Sequence, residues 1–239
     1  MATRAGGDAS WRRLLLVVAA VNIVVGLLVQ VALADAFIPP LAAFMLLYAI
    51  GIVVLRRPGR AGPLLVGVVS ILFLLGNLPF ITSDLAHPST FLQFSVTLVG
   101  TVAAVVGALA MVGAVLGRPA SAVPLAAVAL VVVVVGVAAS VLATLFVSNQ
   151  APEAGDVTIE AEETKFVPDT ARARAGRVRV HVANEDLSRH TFTIDAIDVD
   201  LEVPGGKSRR VEFDTGPGVY QFECKVPGHE DMEGTLTVE

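Results

Sequence analysis

Cys224, His229 and Met232 fall within one nine-residue stretch near the C-terminal end of the chain, Cys224-Lys225-Val226-Pro227-Gly228-His229-Glu230-Asp231-Met232. A thiolate, an imidazole and a thioether on one short loop, with a second imidazole upstream at His190, make up the donor set of a mononuclear blue-copper electron-transfer site. Each donor type has a reason to be there. The thiolate bonds strongly to copper and gives a route for electron delocalisation. Two imidazoles suit both Cu(I) and Cu(II), and a weak axial thioether leaves a trigonal geometry that either oxidation state accepts. With all four positions filled by the protein, no open position is left for a substrate, which points to a carrier rather than a catalyst. Cys224 is the single cysteine of the 239 residues. The chain therefore has no intrachain disulfide and no second thiolate for a binuclear copper centre, and its cysteine count does not report a redox compartment.

The segments around these residues must bring them together. Val219 to Glu223 reads as a strand that ends at Cys224, Pro227-Gly228 lets the loop fold back, and Gly234 to Val238 reads as the last strand. His190 has to arrive from another strand, after the polar turn Asn184 to Arg189. Val178, Val180 and Val182 alternate with Arg177, Arg179 and His181, the period of a half-buried strand. That alternation puts His181 on the polar face, exposed to solvent and outside the donor set. Further strands are expected at 157–159, 190–195, 198–202, 209–214, 218–224 and 234–238, separated by turn signals at Pro204-Gly205-Gly206 and Gly216-Pro217-Gly218. About seven short strands imply an antiparallel sandwich or barrel with Greek-key connections. Its expected core is Ile159, Phe166, Val178, Val180, Val182, Phe192, Ile194, Val211, Phe213, Tyr220, Phe222, Leu236 and Val238.

Residues 156–239 resemble a cupredoxin of the plastocyanin and azurin superfamily. The residues that carry the resemblance are Asn184 and His190 in the first ligand segment, the Pro217-Gly218-x-Tyr220 approach, and Cys224-x-x-Pro227-Gly228-His229-x-x-Met232. The resemblance implies a Greek-key sandwich with one copper ion held by His190, Cys224, His229 and Met232. It also implies that Thr191 braces the ligand loops by hydrogen bonding and that His229, Pro227 and Gly228 form the patch where electrons enter and leave. The loop departs from both prototypes: azurin-like loops share the Cys-to-His spacing but have one more residue before Met, and plastocyanin-like loops have a shorter Cys-to-His step. The His-x2-Met step resembles the binuclear copper domain of terminal oxidases, which needs a second cysteine.

The first part of the chain is different in kind. Residues 1–150 carry Asp8, Asp35, Asp84 and seven arginines, about +4 net, whereas residues 151–239 carry about −9. A mean hydropathy of +0.73 with 54% apolar residues is too high for a soluble protein and fits several membrane spans. Apolar runs at about 14–34, 37–55, 63–81, 91–116 and 123–147 predict an all-α bundle of about five transmembrane helices over 1–147, with no charge inside any run. The first run also reads as a signal peptide, with Arg12-Arg13 as basic region and Ala32-Leu33-Ala34 as cleavage site. Residues 148–155 read as a short linker. Arg4, Arg12, Arg13, Arg56, Arg57, Arg60 and Arg118 all fall on one side of the five-span reading, while the loops 34–37 and 82–90 carry no Lys or Arg. The positive-inside rule then places the N-terminus in the cytoplasm and residues 156–239 outside it, at the plasma membrane, and the second placement holds even if the first run is cleaved. Asn22, Asn77 and Gln93 are expected to hydrogen-bond between helices, Gly and Ala from Gly100 to Gly117 to pack them closely, and His87 to sit solvated in an external loop.

The expected function is a membrane-anchored blue-copper electron carrier, not itself an enzyme. Its expected partners are the lipid bilayer and a redox protein, in the membrane or outside it, and not nucleic acid. A copper-binding or delivery protein without redox turnover, and the copper subunit of a membrane oxidoreductase complex, are the alternatives.

Overall fold

The computed structural model describes residues 2–34, 37–118 and 121–239, with side chains from residue 9 onward. The 34–37 loop is therefore seen only at its ends, and Pro119, Asp35 and the side chains of Arg4 and Asp8 lie outside the described residues. The chain divides into two compact units, Met1–Val141 and Leu142–Glu239.

The first unit is helical: α1 (Ala2–Leu28), continued by a π-helical turn (Val29–Leu33), then α2 (Pro39–Leu55), α3 (Ala61–Gly76), α4 (Leu78–Leu85), α5 (Phe91–Val115) and α6 (Val123–Leu145). Ala9–Leu33, α5 and α6 have 23 to 25 residues each and are long and apolar enough to cross a membrane. α3 and α4 qualify only as a pair bent by 68°, and α2 is a shorter apolar helix of 17 residues. The expected third run is thus not one rod. Pro79 has no N–H for the preceding turn and sits instead in the first turn of α4, and Asn77 turns its side-chain amide back onto Phe73 O at 2.8 Å.

Polar side chains divide differently from expectation. Asn22 and Asn77 bond carbonyls of their own helical turn, Val18 O and Phe73 O. Gln93 does bridge helices, donating from Nε2 to Asp84 Oδ1 at 2.7 Å, and Thr97 donates to Asp84 Oδ2 at 2.7 Å. Asp84 is therefore a buried helix residue of α4 rather than a loop residue. His87 is half-buried, its Nδ1 2.6 Å from Ser83 O. Close packing at small residues is realised where Gly113 faces the Trp11 ring, which a Cβ would approach to 2.8 Å.

Two sets of contacts define opposite ends of this unit. At one end Arg12 donates to Leu55 O, Arg57 O and Gly59 O, and Ala122 N donates to Ser10 Oγ. The Ser10–Arg12 part of α1, the α2–α3 turn and the start of α6 meet there, and with them Arg12, Arg13, Arg56, Arg57 and Arg60. At the other end Ser140 Oγ donates to Pro88 O, beside the start of α5.

The second unit is two β-sheets: β1 (Val157–Glu162), β2 (Lys165–Val167), β3 (Thr170–Ala173), β4 (Gly176–Asn184), β5 (His190–Ile194), β6 (Val199–Val203), β7 (Ser208–Thr215), β8 (Gly218–Glu223) and β9 (Glu233–Val238). One sheet has the order β2-β1-β4-β7 and the other β3-β9-β8-β5-β6. Nine strands replace the expected seven, because the short β2 and β3 carry no alternation long enough to read. Nor is the sandwich wholly antiparallel: β1 runs parallel to β4, and β3 to β9. Between the sheets lies one apolar core centred on Phe166, Phe192 and Phe222, whose rings stand 4.9 to 6.2 Å apart. Of the expected core residues, Val211, Phe213 and Tyr220 are only partly buried against it.

His181 is buried, not exposed. The reason lies in residues 148–155, which are laced to β7: Gln150 N donates to Ser208 O at 3.0 Å and Arg210 N to Gln150 Oε1 at 2.6 Å. This segment covers the polar face of β4, and His181 Nε2 meets Gln150 O at 2.9 Å.

Candidate metal centre

β5 and β8 are hydrogen-bonded neighbours in the second sheet, and each delivers one end of the site. β4 ends at Asn184, and the chain reverses through 185–189 to start β5 at His190. Asn184 holds this turn: its Nδ2 donates to Ser188 O (2.8 Å) and Val203 O (2.9 Å), and its Oδ1 accepts from Asp186 N (2.9 Å). An amide side chain that satisfies three backbone groups is suited to a reversal that cannot use sheet pairing. His190 is fully buried.

β8 ends at Glu223 and hands on Cys224. The loop from Cys224 to Met232 is closed across its neck by Cys224 N donating to Met232 O at 2.9 Å, and internally by His229 N to Val226 O and Met232 N to His229 O. Gly228 takes φ +90°, a conformation that a Cβ disfavours. Lys225 Nζ ties the loop to residues outside it, pairing with Asp195 (2.8 Å) and Glu223 (2.6 Å). Thr191 does brace the two ligand segments, accepting from Lys225 N at Oγ1 (2.8 Å) while its own N–H approaches Cys224 Sγ at 3.4 Å.

These elements bring three donors to one point. Cys224 Sγ lies 3.8 Å from His190 Nδ1 and 3.6 Å from His229 Nδ1, and the two Nδ1 atoms are 3.1 Å apart. Bonds of about 2.0–2.3 Å from a metal ion to imidazole nitrogen and thiolate sulfur put three donors of a trigonal plane roughly 3.5–3.9 Å from one another. The cluster is close to that size, so the residues fit a single copper ion with the His2Cys set. Met232, the fourth sequence candidate, is buried in the same apolar cluster as Cys224 and Val226. His181 and His87 are not part of the cluster.

The electrostatics match. Burial pushes the Cys224 thiol above its ordinary value, against the opposing backbone N–H groups of Thr191 and Val226. Burial pushes His190 down, outweighing the raising effect of Asp186, and pushes His229 down to about 4, helped by the neighbouring His190. Both rings therefore offer lone pairs at neutral pH. A metal ion held by these residues would take the Cys224 thiolate as ligand in place of its proton.

One functional neighbour escaped the sequence reading. Asp186 Oδ2 lies 2.7 Å from His190 Nε2. The available signal was a carboxylate four residues before a ligand histidine, inside a turn opened by Asn184, but such spacing is common in turns.

A family model described as a cupredoxin-like domain matches residues 134–238, from within α6 to the end of β9. No curated protein matches the chain. Among solved structures, the chain is similar to a copper-containing nitrite reductase from Thermus scotoductus SA-01, with 23% identity over 39% of this chain and TM-score 0.32. The match covers 24% of that enzyme's chain. A reduced amicyanin matches with 17% identity over 37% of this chain and 86% of its own, TM-score 0.32, and a fern plastocyanin with 25% identity over 34% and 99%, TM-score 0.27. The family match, over residues 134–238, is to a cupredoxin-like domain and is consistent with copper binding and electron transfer.

Proposed function

We propose that the chain is a membrane-anchored single-electron carrier, not itself an enzyme, with one copper ion held by His190, Cys224, His229 and Met232 on the extracytoplasmic face. The observation that carries this reading is the trio of ligand atoms within 4.8 Å of one another, two of them on a loop closed by its own hydrogen bonds. The ion supplies Cu(I)/Cu(II) cycling. The protein's own contribution is a fixed donor set: strand ends on neighbouring β5 and β8, Thr191 between the two ligand segments, and burial that excludes water. Little rearrangement between oxidation states favours fast exchange. Of the ring donors, His190 is fully buried and His229 is partly exposed, so electrons pass most directly by way of His229, with Pro227 and Gly228 around it.

In the same reading α1, α2, α3 with α4, α5 and α6 make about five crossings. The 17-residue α2 spans about 26 Å at 1.5 Å per residue, enough for a thin or locally thinned bilayer. The clustering of Arg12, Arg13, Arg56, Arg57 and Arg60 at one end supports a cytoplasmic N-terminus. A redox protein, itself membrane-bound or not, is the partner.

The test loads the full-length protein, purified in detergent, with Cu(II). An intense blue thiolate-to-copper band is expected, and Cys224→Ala abolishes it. A colourless copper complex of the unmodified protein refutes the proposal.

A further inference from the structure

A charged group that the donor motif does not include touches one of the four candidate ligands. Asp186 Oδ2 lies 2.7 Å from Nε2 of the fully buried His190, while the carboxylate itself is a quarter exposed. A carboxylate accepts at that distance only from a nitrogen that carries a proton. The ring's proton is thereby assigned to Nε2, and Nδ1 keeps its lone pair toward Cys224 Sγ and His229 Nδ1.

Asp186 is held in this place by its surroundings. Its N–H donates to Asn184 Oδ1 (2.9 Å), its carbonyl accepts from Gly206 N (2.9 Å), and its other carboxylate oxygen accepts from Glu163 N (3.3 Å). Gly205 lies directly under the Leu187 carbonyl, where a Cβ would overlap it. Three segments of chain therefore hold the one residue whose carboxylate faces a ligand ring.

We infer that Asp186 is a positioning residue for the copper site: it orients His190 with Nδ1 inward, and its charge favours Cu(II) over Cu(I). This rests on the copper reading above. The physical ground is that a carboxylate behind an imidazole raises the ring's basicity toward the metal, and a more basic ligand stabilises the higher charge. A neutral acceptor at the same place would orient the ring equally well. Orientation and charge are therefore separable.

The experiment compares wild type, Asp186→Asn and Asp186→Glu, each full-length, in detergent and loaded with copper. The blue band is titrated between its oxidised and reduced states. Asp186→Asn keeps an acceptor for Nε2 and loses the charge. It is expected to keep the band position and to shift the Cu(II)/Cu(I) equilibrium about tenfold toward Cu(I), which is a rise of about 59 mV for a one-electron couple. Cu(II) retention against a chelator falls about tenfold in the same variant, with Cu(I) retention unchanged. Asp186→Glu, which keeps the charge, stays nearer wild type. Should the Asn variant not fold, the pair Asp186→Glu and Asp186→Gln isolates the same charge. A blue wild type whose neutral variants move the equilibrium less than about twofold overturns this inference and leaves the carrier reading standing. A colourless wild type overturns both.

Discussion

Replacing Asn184 by alanine removes three hydrogen bonds at once, and the structure shows which groups lose them. Ser188 O and Val203 O lose the donor Nδ2, and Asp186 N loses the acceptor Oδ1. Val203 pairs with His190 across β5 and β6, so the lost bonds tie the end of β4 to the strand pair that starts the site. At about 1 kcal/mol net for each bond, Asn184→Ala costs about 3 kcal/mol. Asn184→Asp costs at least as much, because it keeps the acceptor but turns a second oxygen toward two carbonyls. The assay is a urea titration of the metal-free full-length protein in detergent, followed by hydrogen-exchange mass spectrometry of peptides from β4 to β9. That readout isolates the β unit from the helices. With a urea slope of about 1–3 kcal/mol/M, the midpoint falls by about 1–3 M for the alanine variant. An unchanged midpoint, or an aspartate variant more stable than the alanine one, refutes the reasoning.

Two further outcomes follow from the β unit. Gly234→Ala sets a Cβ into the Phe222 ring and 2.6 Å from Asp169 O; it is expected to destabilise the unit by about 1–3 kcal/mol, read as a lower urea midpoint in the same assay. Asp156 is held below the usual carboxylate range, chiefly by hydrogen bonds from Arg210, whose Nε and Nη2 lie 2.8 and 2.9 Å from its two oxygens. Its contribution to stability is therefore present above the unfolded value of about 3.9 and lost as pH falls through the lower folded value. Asp156→Asn is expected to lower the urea midpoint at neutral pH and to flatten its decline as pH falls below the unfolded value of about 3.9, so that wild type and variant converge in acid.

The cluster of His190, Cys224 and His229 could be read from residue types and spacing because the chemistry of copper restricts both. Cys224 and His229 are five apart on a loop with a Pro-Gly turn, and Phe192 and Phe222 follow strand periodicity into the core. What could not be read depends on contacts between distant segments. His181 keeps the period of an exposed residue and is buried because Gln150 folds over it. Asp84 looked like a loop residue because the bend at Asn77 and the partnership with Gln93 and Thr97 are tertiary. The strands β2 and β3 are too short for alternation to declare them, and their pairing to β1 and β9 is what makes them strands. Asp186 sits in a turn rich in polar residues, and only the position of His190 singles it out.

The closed loop from Cys224 to Met232 bears on the order of assembly. Three of the four proposed donors lie in nine consecutive residues, a loop short enough for an unfolded chain to close in about 10–100 ns. The same segment can therefore capture a metal ion before the two sheets form, whereas His190, 34 residues before Cys224, joins only when β5 docks beside β8. Metal bound to the unfolded chain reduces the stabilisation that ligand binding gives the native state. The native preference for the ion then depends chiefly on His190, which makes this the donor that couples metal retention to completion of the fold.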